Sequence, residues 1–139
     1  MALHQDPAVF SSVPVGALPT PSGVQVTSPA VSLAPQLAAF SGTWRGRWGA
    51  LLPSELIVER IMPTRAQVIY MWGQVPHYLQ AGWQRLVVAV TPEGKLQWDV
   101  QAASGVSFIF TMGADRKSIT GERLAPNGGA TITMTKVGG

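Results

Sequence analysis

From Ser41 to Val137 the chain breaks into eight short strand-like runs separated by turn residues, with no helical period between them. The runs occupy 41–48, 55–61, 66–72, 83–90, 95–101, 106–112, 117–124 and 130–137. Pro53-Ser54, Pro63, Gly73, Pro92-Glu93-Gly94, Ser104-Gly105, Gly113-Ala114-Asp115-Arg116 and Asn127-Gly128-Gly129 punctuate them. Strands joined by such short connections pair as antiparallel neighbours. Eight of them bury their apolar faces and lose both open edges by closing on themselves. The expected fold is therefore all-β, an eight-stranded antiparallel up-and-down barrel. A two-sheet sandwich is the alternative.

Side-chain alternation says which face is inside. In the first run Trp44, Gly46 and Trp48 share one face while Arg45 and Arg47 share the other, where their charges stay hydrated. A glycine between two indoles suits a tightly curved sheet. Leu96, Trp98 and Val100 form an inward row, followed by Val106, Phe108, Phe110 and Met112, then by Ile132 and Met134. Runs two to four are apolar on both faces, as in Leu56-Ile57-Val58 and Leu86 to Val90, so their outer wall must be covered. Either a second copy of the chain or the leader folded across that wall would cover it.

That leader, residues 1–35, carries Pro7, Pro14, Pro19, Pro21, Pro29 and Pro35, which favour extended or polyproline-like backbone. Val9, Phe10, Val13, Val15, Leu18, Val24, Val26, Val31 and Leu33 are too many apolar side chains for a plain solvated tether. An arm laid along this or a neighbouring subunit is expected, with a disordered tether as the alternative, ahead of a barrel domain at 36–139. Pro35 to Phe40 reads as one helical turn that packs Leu37 and Phe40 beneath the barrel.

Charged residues make up 12% of the 139 positions, against roughly a quarter in an average domain, which favours self-association. The formal charge of +3 comes from scattered Lys and Arg rather than a stripe, so nucleic acid is not the expected partner. No apolar run is long enough for a membrane helix, and the first residues lack a secretory signal pattern. A cytoplasmic chain and an exported one without its signal both fit. There is no cysteine, and His4 and His77 are far apart, so neither a metal site nor a cofactor is expected.

The aromatic set is the strongest functional cue. Trp48, Tyr70, Trp72, Tyr78, Trp83, Trp98, Phe108 and Phe110 are the candidate ligand-binding residues, since pockets are mostly apolar with a few polar anchors. The competing reading is that these rings simply fill the barrel. Trp72, Tyr78 and Trp83 flank the longest loop, Gln74 to Gly82, near an expected opening, whereas Trp44 suits a plug. For catalysis the material is one loop histidine, His77, a general-base candidate without a placed carboxylate. Glu59 and Glu122 read as outward surface charges. Arg60 and Arg123 are expected outside as well; pointing inward they would need a partner such as an anionic ligand.

Opening an eight-strand meander with Gly42-Thr43-Trp44, the chain resembles the calycin superfamily, the lipocalin and avidin-like barrels, over residues 36–137. There a Gly-x-Trp on the first strand, preceded by a short helical turn, closes one end of the barrel. Gly42-x-Trp44 matches, and Leu37 to Phe40 stands where that turn would be. The later lipocalin signatures and the polar biotin-binding set are not recognisable, so neither ligand class carries over. Gly42 to Trp48, Leu56-Ile57-Val58-Glu59 and Val68-Ile69-Tyr70-x-Trp72-Gly73 also look like small bacterial barrels that accompany hydrolase domains as accessories. The first functional expectation is a non-catalytic barrel, a homo-oligomer, that binds a small apolar or aromatic ligand. The others are an assembly subunit docking through its arm, and a barrel cyclase or isomerase assisted by His77 or an inward arginine.

Overall fold

A computed structural model describes residues 18–19, 21–49, 52–74, 79–101 and 105–137. The leader up to residue 17, and the loop residues His77 and Tyr78, lie outside the described residues. A helical turn, α1 (Pro35–Ala38), precedes β1 (Gly42–Trp48), β2 (Leu52–Ile61), β3 (Arg65–Trp72) and β4 (Gly82–Val90). β5 (Leu96–Gln101), β6 (Val106–Met112), β7 (Ser118–Leu124) and β8 (Ala130–Val137) complete the chain. Each strand pairs antiparallel with its sequence neighbour, and β1 also pairs with β8, so the sheet is a closed up-and-down barrel.

Strand β2 begins earlier than its turn-like Pro53-Ser54 suggests. Pro53 sits opposite Arg47 near the start of the strand, where its missing N–H disturbs the ladder least, and its carbonyl accepts a hydrogen bond from Gly73 N–H at 2.9 Å. Ser54 is inward and buried. At Gly46 β1 and β8 leave no room for a side chain, since a Cβ there would lie 2.4 Å from the Thr133 carbonyl oxygen.

The α1 end of the barrel is shut. Trp44 and Phe40 are both fully buried, and the Trp44 indole N–H donates to the Phe40 carbonyl at 2.9 Å. Lys136 Nζ lies 5.3 Å from the Trp44 ring centroid, a cation over an electron-rich face. Arg116 Nε donates to Gln36 Oε1 at 3.0 Å, tying α1 to the β6–β7 hairpin. Trp44 is therefore the plug that its position on the first strand suggests.

The outer wall of β2 and β3 is covered by the chain's own leader. Leu18 and Val24 pack with Trp83 on the buried cluster of Ile57, Ile69 and Met71. A β-bulge fastens the arm there. The register of β2 on β3 shifts between Val58 and Arg60, so both Glu59 and Arg60 end up on the outer face. The Glu59 carbonyl accepts from Thr27 N–H at 2.7 Å, and its carboxylate accepts from Gln25 N–H at 3.2 Å. Arg85 Nε and Gln67 Nε2 each donate to Glu59 Oε1 at 3.0 Å. Glu59, expected as a solvated surface charge, is instead 4% exposed beneath the arm. Arg60 is exposed, as expected.

Burial pushes the Glu59 carboxyl up, but the bonds from Arg85, Gln67 and the Gln25 backbone, with the Arg85 charge, bring it below its ordinary value. A carboxyl depressed in the folded state stabilises it in full above the ordinary carboxylate range, and that stability is lost as pH falls through the depressed value. Hydrogen exchange should therefore show the Gln25 and Thr27 amides protected at neutral pH and released in acid, in a step that begins in the ordinary carboxylate range and is complete below the depressed value. Glu59→Gln should cost about 1 kcal/mol of docking at neutral pH, since Arg85 is part-exposed, and should abolish the step. Equal protection of the wild-type arm at neutral and acid pH would remove Glu59 as its anchor.

Candidate functional site

Opposite the plugged end the barrel is hollow. A cavity of about 600 Å³ is lined by Trp48, Tyr70, Trp72, Trp98 and Phe108, with Leu52, Leu79, Gln84, Val100, Val106, Arg123 and Ala130 completing it. That volume falls within the roughly 300–1,000 Å³ of small-molecule sites. The aromatic set thus divides by layer: the rings fill the interior near α1 and line a space near the other rim.

Register explains the division. Trp48, Tyr70, Trp98 and Phe108 stand on inward rows at the open end and form one connected group. Trp48 stacks on Phe108 with centroids 5.4 Å apart and planes 21° apart. Trp98 meets Phe108 edge-on at 5.3 Å, and Tyr70 lies 5.2 Å from Phe108. Phe110, two residues farther along β6, is fully buried and stacks under Trp98 at 5.4 Å, so it supports the floor from below. Glycine at position 121 makes room for it: a Cβ there would lie 2.4 Å from Phe110 Cε2.

Trp72 reaches the cavity from β3 because its cross-strand partner is Gly82, whose missing side chain leaves space for the indole. Its N–H donates to the Gln80 carbonyl at 2.9 Å. Trp83 is one residue later, opposite Met71, and so lies on the outer face beneath the arm, away from the cavity. Its buried indole N–H has no hydrogen-bond partner among the described residues. Tyr78 and the weak catalytic candidate His77 are outside the described residues.

Much of the cavity's polar chemistry is already used internally. Trp48 donates its indole N–H to the Tyr70 hydroxyl at 2.8 Å, and that hydroxyl donates to Ser54 Oγ at 3.2 Å. Burial pushes the Tyr70 phenol above its ordinary value in spite of these bonds. It stays neutral and serves as a fixed wall rather than a base. Trp48, Tyr70 and Trp72 therefore present ring faces to the space, while the side chains of Gln84 and Arg123 make no hydrogen bond among the described residues.

Arg123 was expected outside. Its strand β7 has no bulge, so Ile119, Gly121 and Arg123 keep strict alternation and all face in, with Arg123 opposite Phe108 and Ala130. The alternation with Ile119 was the available signal. Glu122, on the other phase, is exposed outside as expected. Gln84 is inward by its register with Tyr70 yet exposed, because β4 and β5 pair only at Ala89–Gln97 and Val90–Leu96 and diverge toward this rim. No signal within β4 alone reports that divergence. The site is thus an aromatic chamber open at one rim, with a half-buried arginine and a carboxamide at its edge. Compared with known protein families and with curated proteins, the chain matches none.

Proposed function

We propose that the protein is a non-catalytic barrel that binds a small apolar or aromatic molecule in the chamber opposite Trp44. The observation that carries this reading is the cavity of about 600 Å³ walled by Trp48, Tyr70, Trp72, Trp98 and Phe108, beyond a buried layer that includes Trp44, Phe110 and Met134. Trp48, Tyr70 and Trp72 have their polar atoms already engaged, which favours a flat or alkyl body over a sugar-like one. Self-association belongs to the proposal on the ground of low charge content. The outer wall that called for a second copy is covered in part by Leu18 and Val24 of the arm.

Intrinsic tryptophan fluorescence tests the reading with neutral probes such as naphthalene-2-carboxamide and decanamide. Saturable quenching or a spectral shift is expected from at least one of them. Ala130 is exposed at the chamber's lip, so Ala130→Phe should narrow the mouth and weaken binding about tenfold without loss of stability. No response to any neutral probe, or full affinity in Ala130→Phe, would count against a binding chamber.

A further inference from the structure

We infer that the chamber selects an organic monoanion: a carboxylate at the rim, held by Arg123, with an apolar body extending inward among the rings. This rests on the reading of the chamber as a binding site and adds the charge class of its ligand. Arg123 is half-buried on the inward row of β7, between Phe108 and Ala130, and all three line the cavity. Among the described residues no carboxylate lines it. The nearest acids in sequence or register are directed elsewhere: Glu122 and Asp99 are exposed on outer faces. Glu55 and Glu59 are engaged by Arg45 and Arg85 on the outside of the barrel.

Arg45 and Arg85 thus each have an acid, whereas Arg123, in the least hydrated surroundings, has no ion-pair partner among the described residues. A guanidinium facing an apolar space gains most from a counter-ion there, because low local polarity strengthens the attraction and the planar fork matches two carboxylate oxygens. The Gln84 carboxamide, also unengaged, adds a neutral donor in the same cavity. Arg123 is the penultimate residue of β7, which puts the anion at the rim. Trp48 and Phe108, stacked at 5.4 Å, and Trp98 below them then flank the body. A ligand charged at one end and apolar at the other satisfies both halves of the site. A neutral one leaves the arginine without a partner.

Matched pairs of acid and amide test this on the full chain at pH 7: 2-naphthoate against naphthalene-2-carboxamide, and decanoate against decanamide. Within the better-bound pair the acid should bind about tenfold or more tightly than the amide, the worth of one charge-assisted contact. Whichever pair binds better says whether the body is flat or alkyl. Arg123→Gln should erase the acid's advantage over the amide. Equal binding of acid and amide by the wild-type protein would overturn the anion site and leave the apolar chamber standing. Binding of neither would overturn both. A preference for the acid that survives in Arg123→Gln would take the role away from Arg123. Because the acid–amide comparison uses the unaltered protein, it decides the matter even where the variant fails to fold.

Discussion

Trp44→Ala should destabilise the barrel by about 3–5 kcal/mol, the range for emptying a large buried aromatic site. Trp44 is fully buried and fills the interior where α1 closes the barrel. Its removal leaves a hole between Phe40, Met134 and the surrounding rows that a closed sheet cannot collapse to fill. It also leaves the buried Phe40 carbonyl without the donor now at 2.9 Å. A domain of this size has a total stability of about 5–15 kcal/mol, so the loss approaches unfolding. Trp44→Phe separates the two contributions: it keeps most of the volume and drops the indole donor, and should cost about 1–3 kcal/mol. Urea denaturation followed by far-ultraviolet circular dichroism measures both. A cost under about 1 kcal/mol for the alanine variant would mean that the closed end does not depend on its plug.

The second large effect comes from adding volume. Gly121→Val should cost about 3 kcal/mol, the upper end of overpacking, and should also degrade the chamber. A Cβ at 121 would sit 2.4 Å from Phe110 Cε2 and 2.8 Å from Ile132 Cγ2. Both neighbours are core side chains, Phe110 fully buried and Ile132 2% exposed, so neither can swing into solvent. Phe110 stacks on Trp98 with planes 12° apart and meets Phe108 at 6.1 Å, and both of those rings line the chamber, so its displacement is passed to the chamber. Stability and probe affinity should therefore fall together. Gly121→Ala should do the same to a smaller extent. A Gly121→Val protein with wild-type stability and unaltered probe binding would show that the packed and hollow layers are not mechanically joined.

The two predictions concern the two halves of one interior, and the sequence reports on them unequally. The closed end is legible because its signals are local. Gly42-x-Trp44 on the first strand and Pro35 to Phe40 just before it lie within ten residues, and their hydrogen bond spans four positions. The inward rows of β5, β6 and β8 are legible for the same reason, since alternation is a property of each strand alone. The open end depends on where strands sit against one another. Trp72 and Trp83 look equivalent beside the same loop, yet the register of β3 on β4 sends the first inward across Gly82 and the second outward beside Met71.

Charges divide in the same manner. Glu59-Arg60 and Glu122-Arg123 are alike as dipeptides, and on alternation alone each should split across the sheet. A bulge in β2 turns Glu59 and Arg60 to the same outer side and offers Glu59 to the arm. The regular register of β7 leaves Arg123 inside, facing the chamber. Periodicity and turn residues alone determined the class, the number of strands and the plugged end, because each follows from interactions a few residues apart; closure, which pairs Thr43 with Val137, was expected from the burial of apolar faces but left a sandwich as the alternative. Only the tertiary structure decided which layer is hollow, which tryptophan lines it, which arginine enters it and which glutamate holds the arm. Those outcomes turn on one-residue differences in strand register, and a shift of one residue moves a side chain from one face of a sheet to the other.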